Sequence, residues 1–555
     1  MAASPPPAAR SQAPPGPLTT GRGGWAAPGD VNAFFGLALD NLADLVLAVS
    51  LLGTVFGYPV DFALAHFVPG TAIGVVVGDV LFTWLALRLA RRTGRGDITA
   101  MPLGLDTPST FGMVFFVIGP AFVAARGPAD APPEAVSAAA RHAWHVGMCA
   151  IVASGIFKLA CAFVADRVRR LVPRAGLLGS LTAVALVLIT FLPLVDIVRS
   201  PAVGMVSLGI VLASLTAGIR LPGGVPGALA ALAVGWAIHV AGTAAGWIEA
   251  TPHAALADPA AALWPVGWLA ALRGEWLEAW PDTVRYLPIV IPFALGTVVG
   301  GIDCTESAAA AGDDYDTGAV IGVEALATIV AGACGGIIQS TPYIGHPAYK
   351  AMGGRAAYTL ATALVIGLAG VTGTFAFIYQ AIPPAAVYPI LVFIGLEITA
   401  QSFRATPARH FPAVAIACVP ALAALVTLEA DKLLAAGAAP AAALAAELGV
   451  IRALSAGFIV TSLLWAGMTA ALVDRRLWQA AGWALAAAGL SLVGVIHSPY
   501  PDGRLFLPWQ ISDAPVTAGC GPLELAAAYA LLAAAWFGWG IVAPAGRQGG
   551  EPPCA

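Results

Sequence analysis

From residue 33 to residue 543 the chain is a succession of apolar spans, most of them about twenty residues long. Two of these spans are broken in their middles by Pro, Gly and small polar residues. Backbone in hydrocarbon must satisfy its own N–H and C=O groups, so a broken segment is tolerated there only where protein or a cavity surrounds it. The sequence therefore predicts an all-α polytopic membrane protein folded around its two breaks. Composition agrees, because 59% of the residues are hydrophobic and only 10% are charged, against about 25% in soluble domains. The net charge of −4 carries no basic footprint for nucleic acid. Seven scattered cysteines contain no CxxC pair, so neither a zinc site nor a disulfide framework is expected. No cofactor motif, catalytic cluster or appended soluble domain is evident, which argues against an enzyme.

Residues 1–30, rich in Pro, Ala and Gly, lack the apolar stretch of a signal peptide and read as a disordered cytoplasmic tail. A first set of spans falls at about 33–54, 67–90, 98–125, 144–165, 174–196, 201–219 and 223–247, giving a seven-segment repeat over 31–247. Residues 248–283, rich in Trp, read as an extracytoplasmic amphipathic connection lying in the membrane interface. A second set over 284–475 has spans at about 285–311, 318–338, 339–352, 355–379, 384–402, 409–428 and 450–473. Two additional helices follow within 476–545, and 546–555 is a tail. That makes about sixteen crossings, grouped seven, seven and two. An odd number of segments per repeat inverts the second relative to the first, as in many secondary transporters. Arg91, Arg92, Arg95, Lys350, Arg355, Arg475 and Arg476 fall on one side under this count, so both termini are placed in the cytoplasm of a cell with the chain in its inner or plasma membrane.

The third segment of each repeat is the broken one. Met101–Ser109 holds two prolines, Gly104 and Asp106, and leads into an apolar helix whose expected cap is Thr107 or Ser109. Gln339, Ser340, Thr341 and Tyr343 follow Gly335-Gly336 in the second, interrupted again by Pro342. A helix start at mid-membrane offers free N–H groups to a ligand oxygen, and the polar side chains suit the edge of a flat heterocycle, with Phe111, Phe115 and Tyr343 available to its face. Asp303 and Glu306 stand three residues apart, on one side of a helix, deep in an apolar span. Two acids in low dielectric are suited to binding ligand N–H groups or to carrying a coupling proton. The expected substrate-binding set is Asp303, Glu306, Asp106, Thr107, Ser109, Gln339, Ser340, Thr341 and Tyr343, with Glu306 and Asp303 as proton-coupling groups and no metal ligands. Lys158 is expected to neutralise one of Asp40, Asp44 and Asp79, and Glu324 to sit near a solvated helix end.

At these residues the chain resembles the nucleobase–cation symporter-2 family, which includes the xanthine–uracil permeases. Within it the resemblance runs to the adenine/guanine/hypoxanthine permease branch. It is carried by Pro102-Leu103-Gly104-Leu105-Asp106, by Ile302-Asp303-Cys304-Thr305, and by the run ALATIVAGACGG with Thr341-Pro342-Tyr343-Ile344 and Gly353-Gly354-Arg355. Asp106 stands where the branch has Asn, and Gly345 where it has an acid, which shifts the weight to Asp303 and Glu306. The resemblance implies a 7+7 inverted-repeat fold with core and gate domains, short strands in segments three and ten, and a homodimer. It also implies a proton-coupled permease for a purine-like nucleobase, working by alternating access. The alternative is a transporter of the same architecture for an inorganic or organic anion.

Overall fold

The computed structural model describes residues 24–128, 130–163, 174–219, 221–248, 262–343, 345–404, 406–435, 440–500, 505–509 and 521–542. Of the expected tails at 1–30 and 546–555, residues 1–23 and 546–555 lie outside them, whereas Gly29 and Asp30 already belong to the first helix. The first repeat comprises α1 (Gly29–Phe56), α2 (Val60–Thr93), the strand β1 (Leu103–Leu105), α3 (Thr107–Arg126) and α4 (Pro133–Ala162). It continues with α5, which runs from Arg174–Val184 through a π-helical stretch Ala185–Thr190 into Phe191–Arg199, then α6 (Pro201–Thr216) and α7 (Gly227–Ala244). The second comprises α8 (Leu287–Ala310), α9 (Thr317–Ala333), the strand β2 (Ser340–Pro342), α10 (His346–Ala351), α11 (Ala357–Val371), α12 (Phe375–Ala381), α13 (Pro384–Arg404), α14 (Phe411–Ala435), α15 (Ala442–Ser455) and α16 (Phe458–Val473). Helices α17 (Leu477–Leu492) and α18 (Pro522–Val542) pack on each other and on α16.

The contacts repeat under exchange of the two halves. Helix α2 packs along α11 as α9 packs along α4, and α1 meets α11 as α8 meets α4. In the same way α5 lies on α14 as α13 lies on α6, and α6 on α7 as α14 on α16. The exchange brings β1 and β2 together as an antiparallel pair, with Leu103 opposite Pro342, Gly104 opposite Thr341 and Leu105 opposite Ser340. This is the 7+7 inverted repeat. It sorts the helices into a core (α1–α4 and α8–α11) and a gate (α5–α7 and α13–α16), touching mainly where α1 meets α13 and α7, where α8 meets α5 and α16, and where α3 meets α5.

Three features differ from the sequence reading. Among the described residues, ten helices are long and apolar enough to cross a membrane, or twelve if each bent pair is one span, against sixteen expected. The shortfall arises where helices are short: α6 and α9 are brief apolar helices, α17 has only 16 residues, and β2 with α10 makes only a partial crossing. The expected straight spans 355–379 and 450–473 are bent, by 89° between α11 and α12 and by 72° between α15 and α16. Each bend turns on a glycine with positive φ, Gly373 at 77° and Gly457 at 69°, a conformation costly for any residue with a Cβ. At the first, Trp264 N–H donates to the Thr372 carbonyl, so the connection from the other repeat props the break open. That connection is also not one amphipathic helix. Its described part forms two 3₁₀ turns, Gly267–Arg273 and Glu275–Ala279, separated at Gly274 (φ 77°), with residues 249–261 outside the description.

Candidate functional site

A two-stranded ladder inside a membrane leaves two open edges, and each unmet backbone group there is expensive. Side chains from the surrounding helices close both edges. On the β1 side, Asn41 of α1 accepts from Leu105 N–H (3.0 Å) and donates to the Leu103 carbonyl (3.4 Å), while Asp79 of α2 accepts from Leu103 N–H (3.3 Å). On the β2 side, Thr328 of α9 accepts from Ser340 N–H (3.2 Å), Lys158 of α4 donates to the Ser340 carbonyl (2.9 Å), and Cys304 of α8 donates to the Pro342 carbonyl (3.3 Å). Thr328 thus serves β2 as Asp79 serves β1, from the helix that corresponds to it in the other repeat.

The chain enters the second break through Gly335-Gly336. Gly335 has φ 102°, and a Cβ on Gly70 of α2 would lie 2.3 Å from the Gly336 nitrogen. Only glycine permits that approach. The Gly335 carbonyl then accepts from Trp144 Nε1 at 2.7 Å.

Beyond β1, α3 begins at the crossing. Its cap is Asp106 rather than the expected Thr107 or Ser109: the Asp106 carboxylate accepts from Ser109 N–H at 2.9 Å. The helix start is therefore partly occupied by the chain's own acid, and its N–H groups are not all free for a ligand. Thr107 instead donates to Asp44 (3.0 Å), and Asp106 N–H donates to the Gln339 carbonyl (2.9 Å), tying the two breaks together. Ser154 of α4 holds the Gln339 side chain at 2.6 Å. Phe111 and Phe115 stack on each other with centroids 6.1 Å apart and planes 8° from parallel. Tyr343 N–H donates to the Pro102 carbonyl, and its ring lies against Tyr349.

Lys158 and Glu324 overturn the sequence reading of both residues. Lys158 pairs with none of Asp40, Asp44 and Asp79, and Glu324 is not at a solvated end. Both are fully buried, and Lys158 Nζ lies 2.8 Å from Glu324 Oε1. A Cβ on Gly301 would come within 2.9 Å of the other Glu324 oxygen, so glycine there lets α8 close over the carboxylate. Buried oxygens without a partner among the described residues include Asp40 Oδ1, Asp44 Oδ1 and Ser340 Oγ.

Asp303 and Glu306 stand on α8, half-buried, away from this crossing. At 100° per residue they lie well round the helix from Cys304, the residue that touches β2. Asp303 shares its face with Gly296, seven residues earlier, which packs against Leu181 of the gate helix α5. A Cβ on Gly300, which projects between Asp303 and Cys304, would meet nothing within 4 Å. Asp303 therefore lies beside the gate-facing Gly296 and near the open position Gly300, with Glu306 farther round the helix on the other side of Asp303. Of the expected site, Asp106, Thr107, Ser109, Gln339, Ser340 and Thr341 come together at the strand crossing, with Asp303 and Glu306 apart from them on α8. A cavity of about 10 Å³, lined by Ser109, Gly112, Ser154, Phe293 and Gln339 among others, lies beside the crossing, more than two turns of α8 before Asp303. It is large enough for about one water, so the site is closed.

No family model matches the chain, and no curated protein matches it. Its fold is similar to solved structures at low identity. One is described as the transmembrane domain of a cyanobacterium bicarbonate transporter, BicA (16% identity, TM-score 0.43, covering 79% of this chain and 97% of that one). A second is an overall structure of SLC26A9 (11% identity, TM-score 0.38, covering 72% of this chain and 61% of that one). A third is the murine anion transporter SLC26A9 in its inward-facing state (12% identity, TM-score 0.38, covering 73% and 68%).

Proposed function

We propose that the chain is a secondary transporter whose solute sits between α3, β2 and α8 and is exposed to each side in turn as core and gate move against each other. The observation that carries this reading is the position of Asp303 and Glu306. Asp303 shares its side of α8 with Gly296, which faces Leu181 of the gate, and neighbours the open position Gly300, while Glu306 stands one turn on; a rigid-body shift of the gate would widen the space beside them. A solute there would meet mostly acids and neutral hydrogen-bonding groups: Asp303, Glu306, Ser109 and Gln339. Lys158, the cation that the described residues bring to the crossing, is already paired with Glu324. This chemistry suits a neutral heterocycle with N–H groups, a purine-like nucleobase, with Asp303 or Glu306 exchanging the coupling proton.

The second reading is transport of an inorganic or organic anion, the cargo named for the solved structures above. Lys158 is the observation in this chain that favours it, since a buried ammonium beside a broken helix is what an anion would seek.

Purified protein in liposomes separates the two. Under an inward proton gradient, uptake of labelled adenine, guanine or hypoxanthine is expected, and Asp303→Asn or Glu306→Gln reduces it at least about tenfold, the scale of one lost charged contact. Uptake of bicarbonate, chloride or sulfate with no purine uptake replaces the first reading by the second. Movement of neither class ends both.

A further inference from the structure

Lys158 raises a question that the transport reading does not answer: why a full positive charge is retained at the centre of the core. Its ammonium lies against three oxygens: it forms an ion pair with Glu324 Oε1 at 2.8 Å and donates to the Ser340 carbonyl at 2.9 Å and to Thr328 Oγ1 at 3.5 Å. A carboxylate, an unwound backbone carbonyl and a hydroxyl converge here on one point at a broken element; unwound carbonyls at such breaks coordinate the coupling cation of discontinuous-helix transporters, and the other two are oxygen ligands of the same kind. All four groups belong to fully buried residues, and an ammonium has no further proton to share.

We propose that Lys158 is a tethered cation filling a monovalent-cation site, so that this chain carries its own positive charge at the strand crossing and requires no alkali-metal ion there. The inference rests on the transporter reading only for its consequence in transport. Occupation of the site by a cation stands or falls separately.

The geometry explains why the tether comes from α4. Ser154, one turn before Lys158 on that helix, holds Gln339, and Lys158 holds the next residue, Ser340. One face of α4 thus fixes two successive residues of the second break, and the charge that fixes Ser340 also neutralises Glu324 from α9. A free ion would do the second of these and leave whenever the site opened. The tethered one cannot leave, so it positions β2 throughout the cycle.

The test is cation-dependent stability of the full-length protein, read without transport. In wild type the melting temperature in detergent is expected to be the same in sodium, potassium, ethylammonium and choline chloride. Lys158→Ala vacates the ammonium position and leaves the three oxygens. Ethylammonium, potassium or sodium at about a hundred times its dissociation constant should then raise the melting temperature by a few degrees, by ligand linkage. Choline, too bulky for the space, should not. Adding Glu324→Gln to Lys158→Ala should abolish the response. A Lys158→Ala protein indifferent to all three small cations overturns the proposal. If that variant does not accumulate, wild-type uptake decides: replacing sodium and potassium by choline should leave the rate unchanged, and loss of uptake on that exchange overturns it. Failure of uptake in every medium bears on the transporter reading, while the melting series still bears on the cation site.

Discussion

The core and the gate are built from the same inverted repeat, yet they place polarity in opposite ways. Among the described residues, every fully or nearly buried Asp, Glu and Lys belongs to the core or its connections: Asp30, Asp40, Asp44, Asp79, Asp106, Lys158, Asp313 and Glu324. Buried polar residues of the gate are Ser and Thr, such as Thr182, Ser207, Ser402, Thr461 and Ser462, most with a hydroxyl bonded to a helix carbonyl. The difference follows from the breaks. Intact helices satisfy their own backbones, so the gate needs no side-chain partners beyond local ones. Two three-residue strands cannot, so the core must import Asn41, Asp79, Thr328 and Lys158 to close the ladder, and the imported Lys158 is in turn paired with Glu324. Polarity in the core is a consequence of unwound backbone before it is a consequence of function.

The largest effect should therefore come from the charge pair that closes β2. Glu324→Gln leaves the Lys158 ammonium buried without its counter-charge, and breaking such a pair costs about 3–5 kcal/mol. Chemical or thermal unfolding in detergent measures it. A loss below about 1 kcal/mol, the scale of an exposed pair, would mean that water reaches the pair and that the core is not sealed as described. Close behind is Gly70→Ala, where a methyl group would meet the backbone of Cys334–Gly336. Overpacking of this kind costs about 1–3 kcal/mol. Gly300→Ala, a change of the same size at the open core–gate face, should cost little, and equal losses at the two sites would erase the distinction between a packed core and an open junction.

Next in size is the clasp at the end of the core. Fully buried Asp313, in the turn between α8 and α9, accepts from Lys350 Nζ (2.5 Å) and Thr99 N–H (3.0 Å) and lies 3.3 Å from His346 Nε2 and from Arg95. Burial alone would push its carboxyl up, but hydrogen bonds from His346, Lys350 and Thr99 and the Lys350 charge outweigh it and hold the group below its ordinary value of 3.8. A carboxyl depressed in the folded state contributes stability that is fully present above its ordinary value and is lost as pH falls through the folded one. Asp313→Asn should cost about 2 kcal/mol near neutral pH, the scale of a charged hydrogen bond. The gap from wild type should close as the pH drops below 3.8, and a gap that stayed constant to lower pH would show that the charge is not what the clasp uses.

How much of this was legible in the sequence divides along the same line. The gate's helices, the two breaks and the inverted grouping all follow from span length and from where Pro and Gly fall, because those are local properties of the chain. The strands, found at Leu103–Leu105 and Ser340–Pro342, do not follow from those local properties; the family resemblance implied them, in segments three and ten. The pairing of Lys158 was not legible. Its partner Glu324 lies on a helix of the other repeat, and Asp40, Asp44 and Asp79 offered equally plausible acids in earlier spans. One signal was available. In an inverted repeat the fourth span packs on the ninth as the second does on the eleventh, and that symmetry would have nominated Glu324. The Asp106 cap was ambiguous because Asp106, Thr107 and Ser109 are all capping residues. The 89° bend after α11 depends on Trp264, which no local pattern near Gly373 could reveal.

The smallest expected effect tests whether the gate is as plain as it looks. Ser462 of α16 is fully buried and donates to the Ala417 carbonyl of α14 at 2.6 Å, a bond between two gate helices. That carbonyl lies inside α14, so the serine adds a bond to a backbone that does not depend on it. Ser462→Ala should therefore cost about 1 kcal/mol, the net worth of one neutral hydrogen bond, without lowering uptake. In the core, Thr328→Val removes a single hydroxyl too, but one that accepts from Ser340 N–H and faces Lys158. There the strand has no helical partner to fall back on, so the loss should be larger and uptake should fall with it. Equal losses for the two hydroxyls in unfolding experiments would mean that the ladder finds other donors and acceptors. The contrast between imported and intrinsic backbone partners would then fail at the place where it is sharpest.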